Sequence, residues 1–133
     1  MRILIAVISA IALTLLPSMP AQAGSADASP IIGTWKGTST GYEGGVYVSK
    51  EIKWVITRSK GTSFSGTKSW RPAGGTWSAA ELVVGVMLPS GEVRWADEDG
   101  TFLGVLENSR RIRGTYLETG TDQAAFDQIV RKK

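Results

Sequence analysis

The chain has 133 residues, with 15 Lys and Arg against 12 Asp and Glu for a net charge of +3, five tryptophans, no cysteine and no histidine. The last two absences exclude Cys–His and Ser–His–Asp nucleophilic machinery, zinc sites built on cysteine or histidine, histidine-ligated haem, disulfide stapling and a cysteine-linked lipid anchor. The basic residues are scattered apart from Arg110-Arg111-Arg113 and Arg131-Lys132-Lys133, so no concentrated stripe points to nucleic acid.

At the amino end, Arg2 is followed by an apolar run from Ile3 to Leu16, and the segment from Pro17 closes on Ala21-Gln22-Ala23. A positive charge, an apolar stretch and an A-x-A site predict a secretory signal peptide over residues 1–23, with cleavage before Gly24. The run is shorter than the roughly 20 residues that span a bilayer, so no membrane span is expected after cleavage. What remains, secreted or periplasmic, has room for one domain and one core. Residues 24–30 are small and polar and read as a disordered leader, and 31–133 as the folded domain.

The folded part reads as strands and turns. Ile31–Thr40 is the first strand, and Gly41-Tyr42-Glu43-Gly44-Gly45 the loop after it. Val46–Arg58 is a long strand with Val46, Val48, Ile52, Trp54 and Ile56 on one face and Lys50 in the same phase. Ser59–Thr62 turns the chain into Ser63–Trp70, where Phe64, Gly66, Lys68 and Trp70 share a face. After the loop Arg71–Gly75 comes Thr76–Leu88, whose second half, Leu82–Leu88, is apolar on both faces; its valines favour a strand over a helix.

Residues 93–118 carry the clearest alternation. Val93 and Trp95 share a face, Asp97-Glu98-Asp99-Gly100 turns, Phe102, Gly104 and Leu106 line the next strand, Glu107–Arg110 turns again, and Ile112, Gly114 and Tyr116 line the third. Ala124–Arg131 is a last strand. The expected fold is all-β, a small antiparallel up-and-down barrel of about eight strands. An apolar-x-Gly echo at Trp35/Gly37, Phe64/Gly66, Phe102/Gly104 and Ile112/Gly114 supports closure, because inward glycines let strands coil and leave room opposite large side chains.

Gly33-Thr34-Trp35 resembles the Gly-x-Trp opening of the calycins, the small barrels that include the lipocalins and the avidin and streptavidin family. Arg111-Ile112, Tyr116-Leu117, Gly120-Thr121-Asp122 and Ala125-Phe126 are similar to the late strands of avidin-type barrels. The resemblance implies a barrel with a ligand-holding habit. It does not imply biotin: the positions matching the polar residues that hold biotin's ureido group are Gly37 and Gly41, and the aspartate expected beyond Phe126 has no counterpart before Lys133. The resemblance also implies that Trp35 packs across the closed end beneath a late-strand arginine, for which Arg131 and Arg113 are the candidates.

The candidate ligand-binding residues are Trp54, Trp70, Trp95 and Tyr116, aromatic and in phase with the interior, together with Lys68, whose ammonium could hold a carboxylate or phosphate. Lys50 shares that phase, but a one-residue bulge turning it outward is favoured there. Asp97-Glu98-Asp99-Gly100 has the D-x-D-G spacing of a calcium loop and is too short to surround the ion, so it reads as an acidic hairpin turn and no metal is assigned. Glu81 with Glu92 or Asp97 is a formal carboxylate pair with no hydrolase spacing. No catalytic residue and no cofactor is assigned. The expected function is non-catalytic binding of a small molecule, with a protein-interaction or inhibitor barrel of packed interior as the alternative. Outward apolar residues Val84, Val86, Leu103 and Val105 point to a homo-oligomer formed by barrel outsides, unless a bulge near Gly85 reverses their phase.

Overall fold

A computed structural model describes residues 27–120 and 123–133. The expected signal peptide, residues 24–26 of the leader, and Thr121 and Asp122 lie outside the described residues. Eight strands follow one another, β1 (Gly33–Glu43), β2 (Val46–Lys60), β3 (Ser63–Pro72), β4 (Glu81–Met87), β5 (Glu92–Ala96), β6 (Gly100–Asn108), β7 (Arg111–Glu118) and β8 (Ala124–Lys132). Each pairs antiparallel with the next, and β8 returns to β1, in register from Trp35 opposite Lys132 to Glu43 opposite Ala124, to close the barrel. No helix among the described residues is long and apolar enough to cross a membrane.

The alternation in sequence becomes inside and outside. Trp54, Ile56, Phe64, Val83, Val93, Trp95, Phe102, Ile112 and Tyr116 are all buried, while their strand neighbours face out. The glycines of the echo act as expected. A Cβ at Gly104 or Gly114 would run into the Phe102 ring, and one at Gly37 would meet the backbone of Ile129 on β8. Val46 keeps the expected phase, in unbroken register with β1, but is exposed at the strand end beside the turn. The loop expected at 41–45 contracts to a two-residue turn in which Gly44 and Gly45 both take positive φ, 53° and 82°, a geometry that side chains resist.

Two segments fold differently from the sequence expectation. Thr76–Ala80 is not strand: it lies against the end of β3, where the Ser78 N–H donates to Trp70 O (2.8 Å) and the Trp70 N–H donates to Ser78 Oγ (3.1 Å). Trp77 therefore sits outside the barrel, between Lys53 and Arg71 at 4.8 and 4.6 Å from its ring. The described part of the leader is ordered. Ser29–Ile31 forms a 3-10 turn with Pro30 in its first positions, Ala28 and Ile31 are fully buried, and the Ala28 N–H donates to Gly61 O at 2.8 Å. A small methyl and a satisfied backbone let this segment plug one end of the barrel.

Trp35 packs under that plug with its Nε1–H donating to Ile31 O at 2.7 Å. The cation over its ring is Lys132, 5.6 Å from the ring centroid, and not Arg131 or Arg113. The register explains the substitution: Lys132 is the cross-strand neighbour of Trp35, whereas alternation sends Arg131 and Arg113 to the outer face.

Candidate functional site

With the plugged end at the turns after β2, β4 and β6 and at the end of β8, the other end is built from the turns after β1, β3, β5 and β7, and it is open. A cavity of about 150 Å³ lies beneath these turns. Trp70, Tyr116 and Phe126 form its apolar walls, and Glu43, Lys50, Lys68, Glu81, Asp99 and Glu118 its polar ones, with Ser39, Ile52 and Gln128 completing the lining. Under it runs an aromatic layer. Trp95 stacks on Phe102 (5.3 Å, 11°) and on Tyr116 (5.4 Å, 30°), and Trp54 meets Trp95 and Phe102 edge-on at 5.4 and 5.0 Å.

Lys68, on β3, is the centre of a buried ionic cluster. Its ammonium pairs with Asp97, whose side chain is 0% exposed, lies 3.1 Å from Glu81 Oε2, donates to Tyr116 Oη at 3.3 Å, and sits 4.4 Å from the Tyr116 ring centroid. Tyr116 Oη donates in turn to Asp97 Oδ1 at 2.9 Å, and that oxygen also accepts the N–H groups of Asp99 (3.1 Å) and Gly100 (2.8 Å). Asp97 thus closes the β5–β6 turn and neutralises an inward lysine with one carboxylate, which a buried charge requires. Burial, then the hydrogen bond and the charge of Asp97, push the Tyr116 phenol above its usual range, so it stays a proton donor.

On the opposite wall Lys50 faces inward. No bulge occurs there, the register running unbroken through Ser39 opposite Lys50, and the one in β2 lies further on, between Ile56 and Arg58. Lys50 Nζ pairs with Glu43 (2.6 Å) and lies 4.2 Å from the Trp70 ring and 5.3 Å from that of Phe126. The Glu118 carboxyl is raised above its ordinary range by burial, then by Asp99, with Lys68 acting the other way. Gln128, 3% exposed, donates from Nε2 to Ser39 Oγ at 3.1 Å, and its Oε1 has no partner among the described residues.

No protein-family model matches the chain, and no curated protein sequence matches it. Among solved structures, EF1p2_mFAP2b bound to DFHBI is similar, with a TM-score of 0.59 at 10% sequence identity, over 82% of this chain and 98% of that one. This is a calycin-like barrel. At that identity the likeness is one of fold, and the residue roles come from the cavity itself.

Of the residues expected at the site of this calycin-like barrel, Lys68, Trp70 and Tyr116 line the cavity, whereas Trp54 and Trp95 lie in the packed layer beneath. Their indole N–H groups have no hydrogen-bond partner among the described residues. Glu81 and Asp97 do meet, on Lys68, which pairs with both; Glu92 is bound to Arg94 on β5 and joins neither. Glu43, Ser39, Glu118 and Gln128 join the site without a sequence expectation behind them. Gln128 and Phe126 alternate in phase on β8, a signal legible in the sequence, but Glu43 and Glu118 end strands whose reach into the mouth no alternation fixes.

Proposed function

We propose that this protein binds a small molecule at the open end of the barrel without transforming it, and that it does so after export. The observation that carries the reading is the cavity: concave, walled by Trp70, Tyr116 and Phe126, and holding in Gln128 a buried polar atom with no partner among the described residues. Small-molecule sites combine such apolar walls with a few fixed polar groups. The similar solved structure, a barrel of the same fold, is bound to DFHBI, which supports the reading by analogy of fold. Positioning rather than proton transfer suits the polar groups. Asp97 accepts from three donors and a lysine, and Tyr116 holds its proton firmly. Export rests on the amino-terminal sequence pattern.

Native mass spectrometry of protein purified from its source cells tests the reading. The expected spectrum carries an added mass that leaves on unfolding, and protein of bare chain mass that also ignores a fragment library would overturn it. Self-association is a second part of the proposal. Val84 and Leu103 are 52% and 50% exposed, beside Leu82, Val105 and Leu117, and the register runs unbroken through Gly85, so no bulge reverses their phase. Val86 is half-buried and contributes less.

A further inference from the structure

We infer that the ligand of this mouth is a small organic cation with an N–H donor, such as an amine or guanidinium on a flat apolar body, an inference that rests on the small-molecule reading and gives it a chemical class. Four independent features lead there. The cavity is lined by the four carboxylates of Glu43, Glu81, Asp99 and Glu118 against the two ammonium groups of Lys50 and Lys68. Both lysines are already engaged, Lys50 with Glu43 and Lys68 with Asp97 and Glu81. An incoming anion would have to break one of these pairs, which strands a charge. Asp99 and Glu118 make no ion pair among the described residues and are free to meet a positive group.

The second feature is the sign of the unpartnered atom. Gln128 Oε1, buried and lining the cavity, lacks a hydrogen bond among the described residues. It is an acceptor, so what completes it is a donor. Third, the Trp70 and Phe126 rings already take a cation, since Lys50 Nζ sits over both faces. Fourth, charge is segregated along the barrel. Lys60, Arg110, Arg111, Lys132 and Lys133 outnumber Asp27, Glu92 and Glu107 at the plugged end, while Glu43, Glu81, Asp97, Glu98, Asp99 and Glu118 outnumber Lys50, Lys68 and Arg71 at the mouth, a field that draws positive ligands to the open end.

The Glu118 carboxyl, raised by burial and then by Asp99, fits the same direction, because a bound cation would relieve the charge part of that rise.

Three probes sharing one ring and differing in charge test the inference: benzylammonium, benzyl alcohol and benzoate, each titrated into protein purified from cells expressing the full chain. The readout is the indole N–H resonance of Trp70 in a ¹H–¹⁵N spectrum, identified with Trp70→Phe. Benzylammonium should bind about tenfold or more tightly than the alcohol or benzoate, and a variant carrying Asp99→Asn and Glu118→Gln should lose that preference. Both substitutions keep shape and remove charge at positions outside the core, and an unchanged far-ultraviolet spectrum confirms the fold. If benzyl alcohol or benzoate binds as well as the cation, the cation inference fails and small-molecule binding stands. If none of the three moves any cavity resonance, both fail.

Discussion

Removing one partner of the Lys68–Asp97 pair should destabilise the barrel strongly, and removing the second as well should cost no more. Lys68 is 7% exposed at its side chain and Asp97 is fully buried, so each charge depends on the other. Deleting one member of such a buried pair costs about 3–5 kcal/mol. Lys68→Met keeps most of the alkyl volume and leaves Asp97 with Tyr116 Oη and two backbone N–H groups. Asp97→Asn keeps the turn and leaves Lys68 with Glu81. These residual partners place both single losses near 3 kcal/mol, about 12 °C or more in Tm for a chain of this size. In the double variant neither member of the pair is left charged and alone, and Glu81, which also loses its lysine, is 28% exposed at its side chain and can turn to water, so the loss should not exceed that of either single variant, a coupling of about 3 kcal/mol. Urea unfolding followed by tryptophan fluorescence measures all four corners of the cycle. Single variants with the wild-type midpoint, or losses that simply add, would refute the pairing.

Other expectations follow from the two ends and the outer wall. Trp35→Ala should cost about 3–5 kcal/mol, since it empties the plugged end and orphans the Ile31 carbonyl, whereas Lys132→Ala should cost no more than about 1 kcal/mol; equal thermal shifts would show that the indole does not close the barrel. Glu118 gives a pH dependence. A carboxyl raised in the fold keeps its proton where the unfolded chain has lost it, so the contribution is full below the ordinary value of 4.5 and is lost as pH rises through the raised value. Burial, then Asp99, Glu43 and Asp97, hold it up and Lys68 pulls it down, so Glu118→Gln should flatten the fall in Tm above pH 4.5, and parallel profiles would exclude the assignment. Sedimentation equilibrium should find an oligomer that Leu103→Glu or Val84→Glu splits; a wild-type monomer at tens of micromolar would rule out association through this wall.

The fold was legible where one rule governed each residue. Strict alternation in 93–118 marked strand and face together, and glycine beside large aromatics announced the close approach that the Phe102 ring makes to Gly104 and Gly114. It was less legible where two rules competed. The loop before β4 carries Thr, Trp and Ser, which suit a strand, yet Ser78 ties it to the end of β3 instead. Lys50 obeyed the alternation although a charged side chain argued for a bulge, because Glu43 and two rings supply the environment that burial demands. Asp97 satisfied every rule for a turn, so nothing local disclosed that it also neutralises a lysine 29 residues earlier in the chain. Local chemistry determines such a residue's backbone role, and only barrel closure decides what its carboxylate meets.

Ligand binding at the open end is tested most directly by a crystal structure of the protein purified from its source cells without added ligand. Non-protein density should fill the space between Trp70, Phe126 and Glu118, with a donor atom within hydrogen-bond distance of Gln128 Oε1. A mouth holding only ordered water, with Gln128 Oε1 paired to that water and the site unresponsive to soaked amines, would contradict a role in binding small molecules.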